Sequence, residues 1–118
     1  PCVYYGTEVV LEGGPDPDCR RCMPWDELDT PAGQASCQTL RTLIALRRQE
    51  PALQGGEIAF LDGPDRLVRY RRGSVRPLEV CLNAGREPEA PAPTGEVLFA
   101  RGWDGSRLAP GGVLICRV

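Results

Sequence analysis

Six cysteines, at positions 2, 19, 22, 37, 81 and 116, are the most reactive side chains in the chain. Cys19-Arg20-Arg21-Cys22 has the spacing of zinc ligands and of redox dithiols. A structural zinc site needs four ligands, and the chain has no second C-x-x-C and no histidine. Any further ligand would have to come from an isolated cysteine. A redox C-x-x-C usually opens a helix that follows a strand, whereas this one sits among glycines, prolines and aspartates. An even cysteine count also allows a disulfide framework, with fifteen pairings and no mark of secretion. The favoured reading is free structural cysteines, with Cys81 and Cys116 acting as small buried hydrophobes in strand-like runs. Cys19 and Cys22 are then the pair most open to oxidation or to metal.

The acids are the second resource. Glu8, Glu12, Asp16, Asp18, Asp26, Glu27 and Asp29 crowd the first thirty residues. Two carboxylates about 5 Å apart would make a glycosidase-like pair, but a loop alone does not hold that geometry, so surface acids are the default. Oxygen ligands between 16 and 29 would suit calcium. No EF-type spacing accompanies them, and no cofactor or metal is expected. The missing histidine removes the commonest general base near neutral pH. Asp16 and Arg20, four apart, read at face value as a solvated ion pair shaping a turn, which is worth little. Trp25 reads as a loop anchor ahead of a platform for a sugar ring.

The elements that position these residues follow from periodicity and turn signals. Residues 2–5, Cys-Val-Tyr-Tyr, form a short apolar run of β-formers that stops at Gly6, the pattern of a strand buried on both faces. Residues 12–33 carry Gly13, Gly14, Pro15, Pro17, Pro24, Pro31 and Gly33 and read as one long loop. From Gln34 to Gln49 the pattern is helical. Cys37, Leu40, Ile44 and the stem of Arg47 share a face that Leu43 and Leu46 widen. Thr30 or Ser36 is the candidate cap, and Pro51 ends the helix. Beyond Gln54-Gly55-Gly56 the period drops to two. Strands are expected at 57–61, 67–72, 78–83, 96–100 and 113–118, with a hairpin turn at Asp62-Gly63-Pro64-Asp65 and a Pro-rich loop at 86–94. In the second strand Val68 and Tyr70 share one face and Arg69 and Arg71 the other.

The expected fold is therefore mainly β with one helix: a single β/α unit at 1–54, then an antiparallel β-sandwich or small barrel at 55–118. A lone β/α unit has no sheet to join. The first residues also read as a strand already under way, so the chain is expected to be a piece of something longer. Its 118 residues fall short of the roughly 250 of a complete α/β barrel. The net charge of -2 gives no electrostatic reason to expect nucleic acid or an anionic membrane. No apolar run reaches the roughly 18 residues of a membrane span, and no secretory leader is visible. The compartment expected is the cytoplasm.

Pro1-Cys2-Val3-Tyr4-Tyr5-Gly6-Thr7-Glu8, then Glu12-Gly13-Gly14-Pro15-Asp16-Pro17-Asp18-Cys19-Arg20-Arg21, then Pro24-Trp25-Asp26 resembles the eighth barrel strand and following loop of glycoside hydrolase family thirteen, the α-amylase superfamily. The Gly-Gly-x-Asp-Pro-Asp-Cys-Arg version is most similar to neopullulanases, cyclomaltodextrinases and maltogenic amylases. Leu43-Ile44-Ala45-Leu46-Arg47 through Pro51-Ala52-Leu53 resembles the family's last barrel helix, and the β-module its carboxy-terminal domain. The resemblance implies retaining hydrolysis of α-glucans, with acids from the fourth, fifth and seventh barrel strands, all before Pro1. No catalytic residue is then expected within these 118, which alone should be inactive. It also implies that Asp16 and Arg20 touch sugar hydroxyls at outer donor subsites, with Trp25 beside them, and that Tyr4, Tyr5 and Glu8 support the site. The partners implied are α-glucan oligosaccharides. Val3, Tyr4 and the helix stripe would normally be covered, so they should pack differently on the β-module or across a homodimer. The alternative is a free-standing module that binds glucan through Trp103 or metal through Cys19 and Cys22.

Overall fold

The computed structural model describes residues 2–91 and 95–118. Residue 1 and residues 92–94, where the Pro-rich loop ends, lie outside the described residues. The chain divides into two compact units, Pro1–Ala45 and Leu46–Val118.

In the first unit, Cys2–Tyr5 forms no strand, contrary to the expectation for that run. A strand buried on both faces needs neighbours to pair with, and every described strand lies beyond residue 57. Val3 and Tyr4 are exposed instead. The following loop is built from three short 3-10 turns, Thr7–Val9, Asp18–Arg20 and Trp25–Asp29. Helix α1 spans Pro31–Gln49, three residues longer at its start than expected. Thr30 is its cap: the Gly33 N–H donates to Thr30 Oγ1 at 3.0 Å, and that hydroxyl donates to the Glu27 carbonyl at 2.8 Å. Pro31 then occupies the first helical position, where its fixed φ fits and no N–H is missed. Gly33 is the one buried residue of the helix. The apolar stripe at Cys37, Leu40 and Leu43 is half-buried, and Ile44 is exposed.

The second unit takes in Leu46–Gln49, the last four residues of α1, and the five strands. These are β1 (Ile58–Leu61), β2 (Leu67–Arg72), β3 (Leu78–Asn83), β4 (Glu96–Trp103) and β5 (Leu108–Arg117). They form one antiparallel sheet in the order β1-β2-β3-β5-β4, so the last strand inserts between the third and fourth. The Asp62–Arg66 turn joins β1 to β2, closed by the Leu67 N–H donating to the Pro64 carbonyl at 2.9 Å. β4 has irregular register between Arg101 and Trp103, where Gly102 takes a φ of 71°. A bulge of this kind calls for a left-handed residue, which glycine supplies at no steric cost.

Register confirms the expected alternation. Arg69 pairs with Cys81 and Arg71 with Glu79, while Val68 pairs with Leu82 and Tyr70 with Val80. Both faces of β3 are nevertheless covered. On one, Leu78, Val80 and Ile115 are buried; on the other, Leu67, Cys81, Leu108, Leu114 and Cys116 form a core with Trp103 packed against it. The polar members of that second face are buried with partners, as burial requires. Asn83 Nδ2 donates to the carbonyls of Glu87 and Leu108 at 2.9 and 2.7 Å, and its Oδ1 accepts from the Gly85 N–H at 2.8 Å.

Candidate functional site

The loop from Glu12 to Asp29 carries the residues singled out from sequence. Two glycines open it. A Cβ on Gly14 would stand 2.7 Å from Asp18 Oδ2, so the bare backbone is what lets that carboxylate come close. The peptide between Asp16 and Pro17 is cis. The Asp18 N–H donates to the Pro15 carbonyl at 2.8 Å, and Arg20 N–H to Pro17 at 3.0 Å. This winding turns Arg20 back over Asp16, whose Oδ1 accepts from Arg20 Nη2. Both side chains are about two-thirds exposed, at 65% for Arg20 and 67% for Asp16. Cys19 Sγ also lies on Asp16 Oδ1, at 3.7 Å. Both contacts use the same carboxylate oxygen.

A second ion pair shapes the loop. Arg21 donates through Nε to Asp18 Oδ1 at 2.6 Å and through Nη2 to Asp18 Oδ2 at 2.5 Å, a planar fork. From sequence Asp18 reads as a surface acid; its three-residue spacing to Arg21 is the one local sign of the pair. The fork holds the Asp18 carboxyl below the usual carboxylate range, opposed by some desolvation, and holds Arg21 correspondingly up. Tyr5 supports the same turn, donating from its hydroxyl to the Arg21 carbonyl at 2.7 Å. Its ring packs on Tyr4 with centroids 4.6 Å apart. Desolvation first, then the Tyr4 phenol and the thiols of Cys22 and Cys19, push the Tyr5 hydroxyl above the ordinary phenol value.

Trp25 begins the third 3-10 turn and is 71% exposed. It does not anchor the loop by burial, which corrects the favoured sequence reading. No hydrogen bond or ion pair among the described residues joins it to Asp16 or Arg20. Glu8 lines an open groove of about 410 Å³ with Tyr4, Tyr5, Cys37, Leu40 and Ile44. Among the described residues, no group of three or more Cys, Asp or Glu side chains is placed to hold a metal ion. The calcium reading of residues 16–29 therefore has no ligand cluster, and Cys19 and Cys22 have no companions for zinc. All six cysteines are free thiols. No helix among the described residues is long and apolar enough to cross a membrane.

No family model matches the chain. It is 37% identical over 97 residues to a cyclomaltodextrinase of Geobacillus thermopakistaniensis, an alignment covering 79% of this chain and 16% of that protein. An intracellular maltogenic amylase of Bacillus subtilis is 49% identical over 53 residues, 45% of this chain and 9% of that one. The chain thus spans about a sixth or less of the length of these relatives. Among solved structures, a debranching enzyme of Nostoc punctiforme superposes with a TM-score of 0.75 and 26% identity over 98% of this chain and 25% of that one. Sequence and fold agree in supporting the resemblance to a carboxy-terminal portion of a glycoside hydrolase family thirteen enzyme, the relatives matched being named cyclomaltodextrinase, maltogenic amylase and neopullulanase.

Proposed function

We propose that these residues serve an α-glucan hydrolase that cleaves α-1,4 or α-1,6 glucosidic bonds with retention, supplying an outer sugar contact and not the catalytic acids. Residues 1–54 belong, in this reading, to the last β/α unit of the catalytic barrel and residues 55–118 to the carboxy-terminal domain. The observation that carries it is the Asp16–Arg20 pair. An exposed carboxylate held at one oxygen by a guanidinium presents acceptors and donors side by side, the complement of neighbouring sugar hydroxyls. As a stability device so exposed a pair contributes little. Trp25, exposed on the same loop, offers an apolar face to a glucose ring. The free-standing alternative has less support, since Trp103 packs on the core and no metal cluster is formed among the described residues.

The test is a chimera in which these residues replace the aligned part of a cyclomaltodextrinase relative. The reading expects a chimera that cleaves cyclodextrin, with Asp16→Ala or Arg20→Ala raising KM at least several-fold. Unchanged kinetics in both variants would remove the sugar-contact role. The 118 residues alone should release no reducing sugar from pullulan or cyclodextrin, and release by pure material would overturn the assignment. The exposed Val3, Tyr4, Ile58 and Phe60 are to be covered by the remainder of the enzyme or by a second copy. Light scattering of the isolated chain decides for the copy if it finds a dimer. A relative named as intracellular favours the cytoplasm; fractionation of the host cell tests this.

A further inference from the structure

We propose that Cys19 and Cys22 are a reversible dithiol–disulfide site, closed into a Cys19–Cys22 disulfide by small-molecule disulfides of the glutathione class and reopened by thiols. Nothing in this depends on the glucan reading. The six thiols differ sharply in access: Cys2, Cys19 and Cys22 are exposed, Cys37 is half-buried, and Cys81 and Cys116 are buried. Of the exposed three, only Cys19 and Cys22 are close in sequence, with two residues between them.

The segment joining them is held at several points. Arg20 is drawn to Asp16, Arg21 is forked onto Asp18, and the Arg21 carbonyl accepts from the Tyr5 hydroxyl at 2.7 Å. Both guanidinium groups that separate the two sulfurs in sequence are thus occupied by acids. Cys19 stands in the second 3-10 turn with its Sγ 3.7 Å from Asp16 Oδ1, and Cys22 follows just beyond that turn, exposed like it. Metal capture is the weaker use of such a pair, because a closed structural site needs four ligands and no three-ligand group exists among the described residues.

The chemistry balances in two exchanges. A thiolate of the pair attacks the external disulfide, one external thiolate leaves and takes a proton, and a mixed disulfide remains on the protein. The second thiolate attacks that mixed disulfide and expels the other external thiolate. Two protein S–H bonds have become one S–S bond, and one small disulfide has been reduced to two thiols. The second step is intramolecular over a very short ring, so it outruns capture by a second external molecule. Cys81 stands at the other extreme. It is 2% exposed, its Sγ lies 3.8 Å from Glu79 Oε1, and its thiol is pushed up to about 11, so little thiolate exists near neutrality.

The experiment titrates the reduced 118-residue chain with glutathione disulfide, traps free thiols by alkylation, and maps the peptides by mass spectrometry. Expected is a joint loss of alkylation at Cys19 and Cys22, with a linked peptide two hydrogens lighter that glutathione reverses. It should appear at roughly tenfold lower oxidant than any change at Cys81 or Cys116. Cys22→Ser should convert the Cys19 product into a lasting glutathione adduct, a readout insensitive to any modest effect on folding. The proposal is overturned if both cysteines of the unmodified sequence carry stable glutathione, if the first disulfide uses Cys2 or Cys37, or if neither reacts.

Discussion

Arg69 lies opposite Cys81, not Glu79, yet its Nε and Nη2 reach diagonally to Oε1 of Glu79 at 3.1 and 2.5 Å. Glu79 is 3% exposed, and Arg71, its direct cross-strand partner, stands 3.6 Å from the other carboxylate oxygen. The carboxylate tolerates burial because two guanidinium groups on β2 balance it; the fork with Arg69 holds that guanidinium above its ordinary pKa. Removing one partner of a buried pair leaves an uncompensated charge. Glu79→Ala should therefore cost about 3 kcal/mol in urea unfolding. Glu79→Gln, which keeps an acceptor, should cost about 1–2 kcal/mol. Equal losses in the two variants would show that the retained acceptor contributes nothing and that the lost charge accounts for the whole cost.

The same cluster sets a pH limit on the second unit. Burial first, and then the Glu79 charge, raise the Cys81 thiol from 9.0 to about 11, with Arg69 opposing. Burial pushes the Cys116 thiol the same way. A raised folded-state value means that the unfolded chain loses its proton first. The favourable contribution is thus complete below pH 9 and is lost as pH climbs through 11. Stability should fall by on the order of 2 kcal/mol across that window. Cys81→Ala should flatten much of the slope relative to the unsubstituted chain, and an unchanged slope would refute the assignment to Cys81.

Gly33 reverses a familiar rule. Alanine in place of a helix glycine usually stabilises by about 1 kcal/mol. Here the added Cβ would meet the Glu27 carbonyl oxygen at 1.9 Å. Gly33→Ala should lower helical content and the thermal midpoint of the first unit. Thr30→Ala, which removes the cap on the same N–H, should cost about 1 kcal/mol. Circular dichroism checks both, and a stabilised Gly33→Ala would contradict the close approach at Glu27.

The Asp18–Arg21 fork has an acid signature. Its folded-state carboxyl lies below the ordinary 3.8, chiefly through the Arg21 hydrogen bond. A depressed carboxylate stabilises above its unfolded value, and that contribution disappears as pH falls through the folded value. Carbon-detected NMR titration should place the Asp18 midpoint below 3.8. Arg21→Ala should return it to the usual range; a midpoint indifferent to that change would dissolve the fork.

Much of the β-module could be read from residues. Gly63-Pro64 marks the β1–β2 turn, and the alternation of Arg69 and Arg71 against Val68 and Tyr70 survives in the register. Trp103, the glucan-binding residue of the alternative reading, packs on the core instead. Other features depend on partners that local pattern does not reveal. Glu79 and Asn83 alternate with apolar residues along β3, a pattern that by itself fits a solvated face, but an arginine from β2 and the carbonyls of Glu87 and Leu108 bury both with partners. Cys2–Tyr5 has strand-forming residues and no neighbouring strand among those described. At the candidate site, the Asp16–Arg20 spacing pointed to a pair that does form. The tie from Tyr5 to the Arg21 carbonyl is sixteen residues long and carries no periodic signal.

The insertion of β5 between β3 and β4 constrains how the sheet assembles as the polypeptide is made. β1, β2 and β3 emerge in order and zip together as each appears. β4 comes next and finds no partner, because the strand that flanks it on the sheet has yet to leave the ribosome. For that interval its apolar Val97, Leu98 and Phe99 are an unpaired edge, the condition in which nascent chains stick to one another. Arrival of β5 closes both ladders in one event, so folding of the domain waits on its final strand.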